Sequence, residues 1–126
     1  IDAVLKVKSN MDSGMFYGIQ KGAIAALQSA ASWFDEMNAI YAKRRILTEA
    51  LAEKLGCEVY KEGVGLFVWA KLPAGITSAE DFIDKILYEK YIFITPGTIF
   101  GSNGEGYIRF ALCVKEEKIE EAIRRF

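Results

Sequence analysis

The chain has 126 residues, 52% hydrophobic and 26% charged, with a formal net charge of -1 and no histidine. That length allows one domain with a real core and excludes two ordinary ones, and the composition excludes disorder. The balanced charge, with no basic block, excludes the electrostatic footprint of nucleic-acid or membrane-surface binding. The two cysteines, Cys57 and Cys113, lie far apart without metal-type spacing. With no histidine beside them they exclude a zinc site and the usual activation of a catalytic thiol, and both read as reduced, half-buried strand residues. No apolar run reaches a membrane span and no signal-peptide pattern opens the chain, so a cytoplasmic location is expected. The chain opens on Ile1 rather than methionine, which fits a piece of something longer.

Residues 1 to 12, IDAVLKVKSNMD, pass from a short apolar alternation into polar residues of turn character, and little regular structure is expected there. From Ser13 to Ala31 the spacing of Phe16, Ile19, Ala23, Leu27 and Ala30 predicts a helix rich in small residues, with Asp12 or Ser13 as its N-cap. Ser32 to Leu55 predicts a long amphipathic helix with Trp33, Met37, Ile40, Leu47, Leu51 and Leu55 on one stripe. Ser32 with Asp35 and Glu36 gives it a capping-box-like start, Arg45 and Glu49 stand at i,i+4, and Gly56 stops it. The run Lys43-Arg44-Arg45 reads as solvated surface.

Cys57 to Lys61 and Leu66 to Leu72 predict a hairpin, with Leu66, Val68 and Ala70 on one face of its second strand and Phe67 and Trp69 on the other. Both faces are apolar, so the second needs its own cover. Thr77 with Glu80 predicts the start of a helix running from Ser78 to Lys90. Tyr91 to Thr95 predicts a strand, and the strand, helix, strand order from Leu66 points to a crossover with parallel pairing. Tyr107 to Cys113 predicts another strand, and Lys115 to Phe126 a closing helix on Ile119, Ala122, Ile123 and Phe126. The expected fold is α+β: a small mixed sheet of about four strands with helices on one face, preceded by helical segments.

Chemistry concentrates between Tyr91 and Cys113. A period of two places Ile108, Phe110 and Leu112 on the core face of the last strand, and Tyr107, Arg109, Ala111 and Cys113 on the other. Arg109 then points away from the core with no local partner. A planar, permanently charged fork of donors suits a carboxylate or phosphate, but from the strand alone an ordinary structural salt bridge is the favoured reading, because long charged side chains are usually surface features. No Ser/His/Asp set, dinucleotide glycine motif or phosphate loop occurs. Gly101-Ser102-Asn103-Gly104 reads as a turn, and Glu116, Glu117, Glu120 and Glu121 read as solvated groups near a helix N-terminus.

The run TPGTIFGSNGEGYIRFAL, Thr95 to Leu112, resembles the C-terminal signature of the class I/II, fold-type-I pyridoxal-phosphate aminotransferases, in which PG, FG and a further glycine precede an R-F-x-L strand. The earlier VKSNMDSGMFYGIQKGAIAAL, YAKRR and GVGLFVWAKLP resemble the same family in the same order, most like aspartate or LL-diaminopimelate aminotransferase-like members. The resemblance implies an enzyme moving an amino group between an amino acid and a 2-oxo acid, with Arg109 holding the substrate α-carboxylate; Phe100 either lines the same pocket or simply packs its loop. It implies that residues 1 to 31 are the tail of the large cofactor-binding domain and residues 32 to 126 the linking helix and small domain. It also implies a homodimeric parent.

No stretch matches the S-K motif of the Schiff-base lysine, and Lys6, Lys8 and Lys21 have no claim to that role. Pyridoxal phosphate is therefore expected in the full-length parent and not on this chain, which by itself should be inactive. Catalytic, cofactor-binding and metal residues are expected to be absent, leaving Arg109 and Phe100 as the site residues. Neither nucleic acid nor membrane is an expected partner. The alternatives are a free-standing carboxylate-binding regulatory module and a dimerisation domain.

Overall fold

The computed structural model describes residues 1–11 and 14–126, and the expected N-cap at Asp12 or Ser13 lies outside the described residues. The chain divides into two compact units, Ile1–Glu36 and Met37–Phe126.

The first unit holds α1 (Asp2–Met11), α2 (Tyr17–Leu27) and the start of α3 (Ala31–Lys54). A helix over Asp2–Met11 corrects the expectation of little regular structure. Asp2 in its first turn and Lys8 in its last complement the helix dipole. Ser9 and Asn10, which read as turn residues, instead donate from Oγ and Nδ2 to the Lys6 carbonyl at 3.2 and 2.6 Å and so stay helical. Neither α1 nor α2 buries a residue. α3 begins at Ala31, so Ser32 lies inside it and does not cap it; the Trp33 N–H bonds the Ala30 carbonyl at 3.0 Å.

The second unit is a four-stranded sheet with helices on one face. Its strands are β1 (Glu58–Val59), β2 (Phe67–Lys71), β3 (Thr95–Pro96) and β4 (Tyr107–Ala111), in the order β1-β2-β4-β3. α4 (Ala79–Lys90) joins β2 to β3, and α5 (Glu116–Arg124) closes the chain. The α+β class and the four strands stand, but the sheet is not mixed, because every neighbouring pair is antiparallel. β2 and β3 do run the same way, as a crossover through α4 requires. The last strand inserts between them, so the expected parallel pair never forms. Residues 91–94 form no strand. Tyr91 instead adopts a left-handed conformation, φ 56°, that ends α4 with its N–H on the Leu87 carbonyl. The N-cap of α4 is Ser78, one residue beyond the expected Thr77, accepting from the Asp81 N–H.

The core is built as the alternation requires: Val68 and Ala70 from β2 and Ile108 and Phe110 from β4 are buried against Leu51 and Ala52 of α3 and Ala79, Ile83 and Ile86 of α4. α5 adds Ile119, Ala122 and Ile123. Burying a side chain such as Ile108, which is fully inaccessible, contributes about 2 kcal/mol.

The basic run of α3 is not free surface. Arg44 donates from Nε to Glu116 at 2.6 Å and from Nη1 to the Leu112 carbonyl at 3.2 Å. Arg45 donates from Nη2 to the Gly65 carbonyl at 2.9 Å and stands 4.0 Å from Glu49. These two arginines peg the ends of β4 and β2 to α3, a long-range role that local sequence patterning does not register. Among the described residues no helix is long and apolar enough to cross a membrane.

Candidate functional site

The sheet has a second face, opposite the helices, and Arg109 stands on it. In the antiparallel registers Trp69 of β2 and Thr95 of β3 lie directly opposite Arg109 of β4, so the three side chains form a row on that face. Phe67, two residues before Trp69, and Phe100, from the loop after β3, both meet the arginine. Its guanidinium carbon is 4.1 Å from the centre of the Phe67 ring and 3.9 Å from that of Phe100. These are close cation–π distances. Phe100 in turn meets Trp69 edge-on, with ring centres 5.4 Å apart at 71°.

The loop carrying Phe100 consists of two short 3-10 turns, Gly97–Phe100 and Ser102–Gly104. Gly101 between them has φ 109°, which a side chain would strain. Gly97 and Gly104 meet main chain to main chain, and a β-carbon on either would collide with the carbonyl of the other. The glycines of this loop thus serve two purposes, and close approach is the one that the reading as a simple turn did not include. The Thr98 hydroxyl donates to the Glu80 carboxylate at the start of α4, which holds that acid below its ordinary value.

Two buried side-chain nitrogens lack a hydrogen-bond acceptor among the described residues, Arg45 Nη1 and Arg109 Nε. The first has the Glu49 carboxylate nearby. Arg109 forms no ion pair and no hydrogen bond through its side chain among the described residues. Its two terminal nitrogens are not buried, so they are the donors left open to a ligand. The structure therefore removes the structural salt bridge as an account of Arg109. A cationic fork without an acid partner, set against two rings and open at its tip, has the chemistry to accept a planar anion.

Arg109 and Phe100, both singled out from sequence, come together here. Phe67 and Trp69 were read only as apolar strand residues needing a cover. Their signal was the F-x-W alternation on the face away from the helices, which the register then placed beside the arginine. A cavity of about 420 Å³ that Arg109 and Thr95 also border extends toward the helices, against Leu51 of α3 and against Lys118, Glu121 and Arg125 of the closing segment.

Pyridoxal phosphate needs an amine for covalent attachment, a partner for its ring nitrogen and donors for its phosphate. The residues stacked on Arg109 or in register with it, Phe67, Phe100, Trp69 and Thr95, include no lysine and no carboxylate. They fit a carboxylate-holding subsite and do not fit the cofactor, and no step through the cofactor is derived from them.

The profile of the family "Aminotransferase class I and II" matches residues 1–126. An LL-diaminopimelate aminotransferase from Oleidesulfovibrio alaskensis is 43% identical over 120 residues, which cover 95% of this chain and 31% of that protein. One from Halothermothrix orenii is 42% identical over 126 residues, covering 99% of this chain and 32% of the relative. Among solved structures, substrate-bound BacF from Bacillus subtilis superposes with a TM-score of 0.80 at 34% identity, over 98% of this chain and 32% of BacF. An aminotransferase from Staphylococcus aureus superposes at 0.81 and 31% identity, over 98% and 33% of the two chains. The chain thus spans under a third of the length of these curated relatives. It belongs to the class I and II aminotransferases.

Proposed function

We propose that this chain is part of a pyridoxal-phosphate-dependent aminotransferase, and that its share of the reaction is to hold the substrate's α-carboxylate on Arg109. The observation that carries the reading is the state of that guanidinium: between two aromatic rings, without any acid partner among the described residues, and open at its terminal nitrogens. A carboxylate reaching both terminal nitrogens end-on makes two parallel charge-assisted hydrogen bonds. Such a clamp fixes the plane of the carboxylate and with it the direction of the bonds at Cα, which is an entropic contribution to rate.

The cofactor supplies the electron sink when bound, and its attachment groups come from sequence outside these residues. On this reading residues 1 to 31 are the tail of the large domain and residues 32 to 126 the linking helix and small domain. The parent is a homodimer, and the chain by itself is inactive. The names of the relatives make LL-diaminopimelate the first amino donor to test, with a 2-oxo acid as acceptor.

The test is Arg109→Lys in the full-length protein. A lysine keeps the charge and loses the fork, so kcat/KM falls by about 100-fold or more while the cofactor's absorbance is unchanged. Activity equal to the unsubstituted enzyme overturns the assignment.

A further inference from the structure

An arginine on a strand has four side-chain torsions, and nothing in β4 itself fixes the plane of its guanidinium. In this structure that plane is set by neighbours. The Phe67 and Phe100 rings each lie against the guanidinium, their centres 4.1 and 3.9 Å from its carbon, and do not form a ring pair with one another. Phe67 is carried by the central strand β2, two residues from the Trp69 that faces Arg109 across the ladder.

Phe100 is held from three directions. Trp69 meets its edge, the Gly97–Gly104 contact closes the base of its loop, and Thr98 ties that loop to Glu80 of α4. The arginine is thus oriented before any ligand arrives, by groups belonging to three separate segments. The stacking also covers the Nε–H, which is buried without an acceptor, so that only the two terminal nitrogens are presented.

Resting on the carboxylate-holding role given above to Arg109, we propose that Phe67 and Phe100 are positioning residues that make this site selective for a planar, two-oxygen anion. With its faces covered, the guanidinium offers donors only in its own plane. A carboxylate places both oxygens in that plane. A tetrahedral sulfonate of the same charge places at least one oxygen out of plane, against a ring and away from any donor.

The experiment uses the full-length enzyme with Phe67→Leu and Phe100→Leu, and with Phe67→Tyr and Phe100→Tyr as counterparts that keep a ring face. Two quantities are measured: KM and kcat for the amino donor, and the inhibition constants of propionate and ethanesulfonate, which carry equal charge. Each leucine variant raises KM about three- to tenfold with a smaller change in kcat, and narrows the preference for propionate over ethanesulfonate. The tyrosine variants restore both. A leucine variant that fails to fold is replaced in the comparison by the other one and by the tyrosine pair.

If Arg109→Lys impairs the enzyme while the leucine variants keep both KM and the inhibitor ratio, the positioning inference is overturned and the arginine's role stands. If Arg109→Lys itself leaves KM and the ratio unchanged, the carboxylate assignment is overturned first. Tyrosine variants as impaired as the leucine ones also count against the proposal, since a ring face would then not be what matters.

Discussion

Gly97 and Gly104 touch through their main chains, and the Tyr107 carbonyl closes the same space from a third side. Seven residues apart in sequence, they shut the loop that delivers Phe100 to Arg109. Neither has a positive φ, so their requirement is for room and not for a left-handed backbone.

Gly104→Ala should therefore destabilise the fold by about 3 kcal/mol, because the new methyl group runs into the main chain of Gly97 and cannot be relieved by a side-chain rotation. Gly101→Ala makes a useful contrast. Nothing lies within 4 Å of a β-carbon there, so its cost comes only from φ 109° and should be about 1–2 kcal/mol. Urea unfolding of the two variants orders them, and Gly101→Ala proving the more damaging would show that conformation and not contact governs this loop.

The loop also shows what a sequence can and cannot disclose. The alternation in Tyr107–Ala111 assigned Arg109 to the outer face, and β4 carries it there because a strand's period is local information. That Phe67 meets Arg109 depends on register between segments 42 residues apart, and that β4 slips between β2 and β3 depends on which pairing buries most surface. Neither is encoded in the spacing of either segment alone. α1 was missed for a different reason: Ser9 and Asn10 carry turn propensity, and their bonds back to Lys6 satisfy the same side-chain groups inside a helix. Arg44 looked like one charge in a surface run because its partners, Glu116 and the Leu112 carbonyl, are 72 and 68 residues away.

Acid should loosen the second unit through three carboxylates. Glu121 lies between Lys118 at 2.8 Å and Arg125 at 2.5 Å, and these cations hold its acid down at about 2 from an ordinary 4.5. Glu116 is lowered by the hydrogen bond from Arg44, and Glu80 by the one from Thr98. A carboxylate whose folded pKa is depressed contributes stability above its unfolded pKa and loses it as pH falls through the folded value. Stability should accordingly be level down to about pH 5 and then decline toward pH 2. Urea midpoints against pH measure this. Glu121→Gln should flatten part of the decline, and added salt should do the same because the pair is solvent-exposed and screened. A midpoint that rises on acidification would contradict the linkage.

The two thiols should react at very different rates. Cys57 is buried beside the start of β1, and burial pushes its thiol up to about 11, whereas Cys113 is exposed just beyond β4. At pH 8 a thiol with that pKa is about one part in a thousand thiolate, and access is blocked as well. An aromatic disulfide reagent should therefore titrate one thiol rapidly in the native protein and the second only on unfolding, with Cys113→Ser abolishing the fast phase. Two fast thiols would mean that the packing of Cys57 opens readily.

Arg109 separates a functional reading from a structural one by stability alone. A structural arginine earns its place through bonds, and removing one such partner usually costs 1 kcal/mol or more. Arg109 has none among the described residues: its Nε–H is buried without an acceptor and no carboxylate balances its charge. Arg109→Met keeps much of the length, removes the unsatisfied donor and leaves a sulfur that packs against the Phe67 and Phe100 rings as the guanidinium did. The lost cation–π attraction, about 1 kcal/mol, is offset by the donor no longer buried unpaired, which is worth about the same or more. The full-length Arg109→Met protein should then unfold at a denaturant concentration equal to or above that of the unsubstituted one, while its turnover collapses. Gain or parity in stability with loss of activity is the signature of a residue held in an unfavourable state for its ligand. A loss of more than about 1 kcal/mol would instead assign Arg109 to the scaffold.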